Sequence, residues 1–221
     1  MIKKHIKRRI LFVLVLLTAL TTTVIYIAWY SNLLIVKSIE VRGNNLITSE
    51  QIQEVSQISL NSQLVKLPIS DIKQRILEIS QIGTVEVRRG WPSNVVIQIS
   101  ERIPLAITNT SQGEFLVDVT GKPYISRNPN DNYAFITGPD DSSRAFAIAV
   151  WQTFPDWLKA EVISTNADNP SSIWMMLNNG RKVLWGSINQ ANDKAAVLKV
   201  LRRMAGSAYD VSIPETPVVR P

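Results

Sequence analysis

Residues Thr84 to Pro104 read TVEVRRGWPSNVVIQISERIP, and the order of residue types in this stretch decides the fold. Val85 and Val87 alternate with polar neighbours, and Val95, Ile97 and Ile99 alternate with Val96, Gln98 and Ser100. A period of two places alternate side chains on opposite faces of a strand, so strands are predicted over Thr84–Arg89 and Val95–Arg102. Gly90, Trp91, Pro92, Ser93 and Asn94 between them form a turn cluster. Pro104 closes the second strand, because a residue without an N–H cannot continue a central ladder. The hairpin therefore has one apolar face, and something must cover it.

The cover lies just upstream. Ile69, Ile72, Ile76 and Ile79 recur at spacings of three and four, the stripe of an amphipathic helix that Ser70 can cap. Thr48 with Gln51 three residues later is a capping-box pair and predicts a helix over residues 49–56. Before it, Val36, Ile39 and Val41 suggest a strand that stops at the turn residues Gly43, Asn44 and Asn45. The module reads β-α-α-β-β.

Ile10 to Tyr30 is an uncharged run without proline or glycine, ILFVLVLLTALTTTVIYIAWY. A helix of that length spans roughly 30 Å, the hydrocarbon thickness of a bilayer. Thr21, Thr22 and Thr23 can satisfy their hydroxyls on carbonyls of the preceding turn. Tyr26, Trp29 and Tyr30 gather at one end, where amphipathic rings favour the headgroup layer. A cleaved signal peptide would need a shorter apolar run and a small-x-small cleavage site, and a buried core helix is the third alternative. Lys3, Lys4, Lys7, Arg8 and Arg9 precede the span, and Lys37 and Arg42 follow it. That asymmetry keeps the N-terminus in the cytoplasm and sends everything after Tyr30 outside. The 24 Lys+Arg exceed the 18 Asp+Glu, but without those five leading cations the remainder is nearly neutral. The basic excess is a topology signal, and no nucleic-acid partner is expected.

Beyond Pro104 the pattern is strand-rich and α+β. Glu114–Val119 runs into a turn at Thr120 and Gly121, and Tyr133–Thr137 is a second predicted strand. Ser142 or Ser143 caps a helix whose apolar side carries Ala145, Ile148 and Ala149 up to Gln152. Ile173–Leu177 and Lys182–Trp185 flank Asn178, Asn179 and Gly180 as a hairpin. Asn189 caps a late helix with Val197, Leu198, Leu201 and Met204 inward and Lys194, Lys199, Arg202 and Arg203 outward. A short strand over Tyr209–Ile213 follows, then an extended tail containing Pro214 and Pro217.

Catalytic chemistry is hard to place in this composition. There is no cysteine, and the one histidine is His5, so thiol nucleophiles, cysteine zinc sites and Ser-His-Asp triads are excluded from the outer part. Ser70-x-x-Lys73 has the form of a penicillin-binding motif but lacks the Ser-Asp-Asn and Lys-Thr-Gly companions. Asp118, Asp140 and Asp141 lie in turns, where Asp bonds its own backbone. No catalytic residue, metal ligand or cofactor is assigned.

Ile39-x-Val41-x-Gly43-Asn44, Val85-x-Val87-x-x-x-Trp91-Pro92 and Ile97-x-Ile99-x-Glu101-Arg102-x-Pro104-x-Ala106, after a single anchor, resemble the POTRA domain of the bacterial FtsQ/DivIB cell-division family. Leu116-Val117-Asp118-x-x-Gly121, Asn179-Gly180-x-x-Val183-x-x-Gly186, the late helix and Asp210 are similar to that family's β domain. Trp185 departs from the aliphatic residue expected, and the prolines after Ile213 leave the last strand open. The resemblance implies a cytoplasmic tail (1–9), a transmembrane helix (10–30), a connector (31–35), a POTRA domain (36–106), a β domain (107–213) and an extended tail (214–221). It implies an anchored, non-catalytic divisome scaffold in the bacterial cytoplasmic membrane, expected at the septum. FtsB/FtsL-like coiled-coil proteins and other division proteins would be its partners. Arg202, Arg203, Tyr209, Val211, Ile213, Val218 and Val219 are the candidate contact residues, with strand addition as the physical mode. Tyr209 and Val211 fit the core of the closing strand equally well. An anchored cell-wall enzyme or enzyme regulator is the alternative from another class.

Overall fold

In the computed structural model, the structure describes the backbone of residues 2–30 and 34–221 and the side chains of residues 11–26 and 34–221. Helix α1 runs Ile2–Tyr30. The Thr21, Thr22 and Thr23 hydroxyls donate to carbonyls three or four residues back, at 2.7–2.9 Å. The apolar side chains from Leu11 to Tyr26 are exposed. Among the described residues no helix is long and apolar enough to cross a membrane. The described side chains of α1 cover only 11–26, a shorter stretch than the about 20 residues a span needs. The side chains of the basic tail and residues 31–33 of the connector lie outside the described residues.

The chain divides into two units, Met1–Glu101 and Arg102–Pro221. After α1 the first carries β1 (Ser38–Arg42), α2 (Ser49–Ser56), α3 (Ile69–Leu77), β2 (Ile82–Gly90) and β3 (Asn94–Glu101). The sheet order is β1-β3-β2, with β3 central, parallel to β1 and antiparallel to β2. Val95, Ile97 and Ile99 of β3 are buried against Ile52 of α2 and Ile72 and Ile76 of α3 in one cluster, as the alternation predicts.

The capping box is present: Gln51 N–H donates to the Thr48 hydroxyl, and the Gln51 side chain accepts from the Thr48 N–H. Ser70, by contrast, is not a cap. Ile72 N–H donates to the Pro68 carbonyl at 3.0 Å, so the first turn closes before Ser70, which lies exposed within it. Glu101 ends β3 and takes N–H donation from Asn45, Leu46 and Ile47, just after the Gly43 turn. Burial pushes its pKa up, but those three N–H groups outweigh that and hold it below the ordinary carboxylate value.

The second unit contains β4 (Ala106–Thr110), β5 (Gly113–Val117), β6 (Pro123–Ser126), β7 (Ala134–Thr137), α4 (Asp141–Gln152), α5 (Asp156–Lys159), β8 (Val162–Asn169), β9 (Ser172–Leu177), β10 (Lys182–Gly186), α6 (Ala191–Leu201), β11 (Ala208–Asp210) and β12 (Val218–Arg220). The strands form one nine-stranded sheet in the order β12-β11-β10-β9-β8-β7-β4-β5-β6. One face carries the core, where Ile136, Met175, Val183, Trp185 and Tyr209 meet α4, α5 and α6 through Ile148, Leu158 and Leu198.

Several expectations for this unit are corrected. Asp140, rather than Ser142 or Ser143, caps α4: its Oδ1 accepts from the Ser143 N–H at 2.7 Å. The helix turns Ser143, Ala147, Ile148 and Val150 inward, so that of the expected side Ile148 is buried while Ala145 and Ala149 are half-buried and Gln152 is exposed. Asn189 does not cap α6, because Gln190 occupies that position with φ 54° and makes no side-chain cap bond. With that start Lys194 points inward and is only 1% exposed. Its Nζ donates to the Ser187 carbonyl at 2.9 Å. Met204 is exposed because α6 ends at Leu201 and its stripe does not continue. The predicted strand over Tyr209–Ile213 is shorter, since Asp210 Oδ1 accepts from the Ser212 N–H and hydroxyl and turns the chain. The expected extended tail contains a strand, β12.

Candidate partner-docking edge

β11 is the strand on which the C-terminal edge is built. It pairs in parallel with β10 and antiparallel with β12, and β12 is the outermost strand. A single sequence step sets this up: the chain turns at Asp210–Ser212, loops through Pro214 and Pro217, and returns along β11. Gly206 makes the return possible. A Cβ there would stand 2.5 Å from Val219 Cγ1 and 2.9 Å from the Arg220 carbonyl, so only glycine admits the strand this closely. Ser207 adds two bonds, its N–H to the Arg220 carbonyl and its hydroxyl to the Pro221 carbonyl.

The candidate residues divide by burial. Tyr209 is 1% exposed and Val211 is 0% exposed, so both are core residues that support the edge from beneath. Tyr209 faces Val219, which is half-buried, across the ladder. Val218 is 49% exposed on β12, and Ile213 is 59% exposed in the loop before it, outside any strand. The Tyr209 hydroxyl donates to the Met204 carbonyl at 3.0 Å. The Arg181 guanidinium lies over the Tyr209 ring, donates to its hydroxyl and also donates to the Arg202 carbonyl at 3.0 Å. Arg181, which the sequence did not single out, thereby ties the end of α6 to β11.

Arg202 and Arg203 follow α6. Arg202 forms an ion pair with Glu161 at 2.7 Å and lies 5.2 Å from the Trp157 ring centre. Arg203 is exposed, and the two arginines with Lys199, Trp157 and Glu161 line a hollow of about 330 Å³. The structure thus brings Tyr209, Val218 and Val219 together on adjacent strands and places Arg202 and Arg203 at the end of the helix.

Every carboxylate considered for chemistry has a structural task. Asp118 pairs with Arg102 and accepts from both the N–H and the hydroxyl of Thr120. Burial raises its pKa, but the Thr120 and Arg102 bonds outweigh that and lower it overall. Asp140 caps α4, and Asp141 pairs with Arg144. Ser70 and Lys73 are on α3, with Ser70 on its exposed side. Among the described residues no group of His, Cys, Asp and Glu could hold a metal ion. Trp185, unexpected in sequence, is fully buried and meets Phe154 edge to face at 4.9 Å. That aromatic partner, 31 positions away, explains the larger residue.

Residues 34–102 match the family model of the FtsQ-type POTRA domain, and residues 106–213 match that of the cell division protein FtsQ/DivIB C-terminal region. The chain is 31% identical over 230 residues to the cell division protein FtsQ of Streptomyces bingchenggensis, covering 96% of this chain and 86% of that protein. The chain belongs to the FtsQ/DivIB family. Similarity extends to FtsQ of Mycobacterium leprae, at 28% identity over 84% of this chain and 55% of that protein. It extends also to FtsQ of Corynebacterium glutamicum, at 26% identity over 88% of this chain and 90% of that protein. The chain thus spans about half the length of the Mycobacterium leprae relative and most of the other two. In FtsQ terms, the three-stranded unit is the POTRA domain and the nine-stranded unit the C-terminal domain. β12 lies beyond the matched C-terminal region.

Proposed function

We propose that this FtsQ-family chain is a non-catalytic scaffold of the divisome, anchored in the bacterial cytoplasmic membrane through residues 10–30, with both folded units outside the cytoplasm. The uncharged run and the five leading cations support the anchor and its orientation. The scaffold recruits FtsB/FtsL-like coiled-coil proteins through the C-terminal domain and other division proteins through the POTRA domain, at the septum. The single observation that carries this reading is β12 itself. It closes one side of the sheet, and among the described residues its outer N–H and C=O groups have no neighbouring strand. An extended segment of a partner gains a complete ladder by pairing there. Asp118, Asp140 and Asp141 are engaged in a cap and in ion pairs, which favours a binding role over hydrolysis or transfer.

Two measurements test the proposal. A fluorescent fusion of the full chain is expected to accumulate at midcell, and a uniform membrane signal would count against the division role. Co-purification with FtsB-like and FtsL-like proteins of the same organism tests the edge, using Val218→Pro and Val219→Pro. N–H groups alternate between the two sides of a strand, so one of these variants removes an outward donor. Loss of capture in at least one is expected; full capture with both would sink strand addition.

A further inference from the structure

The end of the POTRA domain that the chain enters after α1 is built from three segments far apart in sequence. Val36 N–H donates to the Ser62 carbonyl at 2.9 Å, and Asn61 N–H donates back to the Val36 carbonyl at 2.8 Å. Lys37 N–H donates the other way, to the Ser93 carbonyl at 2.8 Å, and Ser38 then pairs with Asn94 where β1 starts beside β3. The β2–β3 turn and the loop at residues 59–63 therefore flank the entering strand at its first residues. Arg89 fastens the turn to the segment after that loop, donating to the Leu64 and Leu67 carbonyls at 2.8 Å. Two large apolar side chains stand out from this end, Trp91 of the turn at 62% exposed and Leu60 of the loop at 58%. Neither belongs to the core cluster of the domain. Residues 34–37, 59–67 and 88–95 contain no Asp or Glu, and Lys37 and Lys66 are exposed among them.

We infer that this end of the POTRA domain rests on the bilayer surface, with the Trp91 ring and Leu60 in the headgroup layer and Lys37 and Lys66 over anionic lipid phosphates. The inference rests on the anchor reading and adds a second, peripheral membrane contact to it. Chain length names the occupant. Four Cα-to-Cα steps separate Tyr30, the last residue of the uncharged run, from Leu34, so in any conformation Leu34 stands at most about 14 Å from it. The headgroup layer is itself roughly 5–8 Å deep. A domain tethered this closely keeps its entry end within reach of the lipid surface. The contact then needs little affinity of its own, because the tether supplies a high effective concentration. An indole favours the headgroup layer because one side of it is apolar and its N–H is polar. Each ammonium close to an anionic leaflet adds about 1 kcal/mol, and that attraction fades within a Debye length. An end without carboxylates has nothing that the same leaflet would repel.

The test uses the full chain reconstituted into vesicles of phosphatidylcholine and phosphatidylglycerol, with and without acyl chains brominated close to the headgroup, which quench nearby indoles. The chain has six tryptophans, so each is read as the emission that its Phe variant removes. The emission lost in Trp91→Phe is expected to fall about twofold or more on brominated lipid, and Leu60→Glu is expected to reduce that quenching. Trp91 and Leu60 are exposed, so both variants keep the core, and thermal melting confirms it. Omitting phosphatidylglycerol is expected to weaken the Trp91 quenching as well; equal quenching without it would remove the part assigned to Lys37 and Lys66. Trp29→Phe reports on the anchor in the same vesicles. Quenching of the Trp29 emission with none of the Trp91 emission would overturn the surface contact and leave the anchor standing. Quenching of neither would remove the anchor reading and the contact with it.

Discussion

Tyr209 and Val219 stand directly opposite each other across β11 and β12, one fully buried and the other half-buried. The buried member positions the exposed strand. Tyr209 is anchored by its hydroxyl bond to the Met204 carbonyl and by Arg181 over its ring, so the edge is joined to α6 as well as to the sheet. Tyr209→Phe keeps the ring and removes the hydroxyl. It leaves the Met204 carbonyl and one Arg181 donor without a partner, and a destabilisation of about 1–3 kcal/mol is expected. Chemical denaturation of the soluble outer region measures it, and a change below a few tenths would mean that ring packing alone holds β11.

Gly206→Ala tests the close approach of β12. The added Cβ would fall 2.5 Å from Val219 Cγ1 and 2.9 Å from the Arg220 carbonyl, and the second of these is backbone that cannot rotate away. Overpacking of this kind costs about 1–3 kcal/mol where the structure resists. Here the three-residue strand gives way first. Faster amide exchange at residues 218–220 and at Ala208–Asp210, with little change elsewhere, is the expected outcome.

Acid stability depends on Asp118. Its folded-state pKa is lowered, so it contributes stability that is present above the unfolded carboxylate value of about 3.9 and is lost as pH falls through the folded value. Asp118→Asn removes the ion pair with the little-exposed Arg102, and a loss of about 1–3 kcal/mol near neutral pH is expected. Denaturation midpoints measured from pH 7 downward should converge for the two proteins below pH 4; parallel curves would exclude the linkage.

Lys194 gives the opposite limb. Burial lowers its pKa, only partly countered by Glu215, so the folded state disfavours the charged form. The unfolded chain then binds more protons between the folded value and the ordinary value of about 10.4, and stability rises with pH across that window. Lys194→Met removes this dependence. The difference in stability between the natural chain and the variant is expected to shift in favour of the natural chain from pH 8 to pH 10.5, read by urea denaturation, and a constant difference would refute it.

The parts legible in the sequence are those whose cause is local. The Thr48–Gln51 box, the alternation of Val95, Ile97 and Ile99 and the turn at Asn178–Gly180 each depend on residues within about one helical turn or one hairpin, and each is found. The caps of α4 and α6 were misplaced because several Asp, Asn and Ser residues cluster there and only the geometry chooses among them. β4, β6 and β8 are not legible in the sequence, although each has a hairpin partner close by, because none alternates cleanly: β4 buries Ala106, Ile107 and Thr108 in a row. Ser164 and Asn166 on β8 carry little hydrophobic periodicity of their own.

The candidate edge shows the same division. The sequence by itself determined the family, the hairpin that defines the POTRA domain and the uncharged run at the start. Only the tertiary structure decided that Tyr209 and Val211 are buried, that Lys194 points inward, and that residues after Pro217 form the outermost strand. Those outcomes depend on which strand lies beside which, and a strand carries no record of its neighbour in its own alternation. The neighbour is chosen when the apolar faces of β10, β11 and α6 close on one core, and the edge is what that choice leaves unpaired.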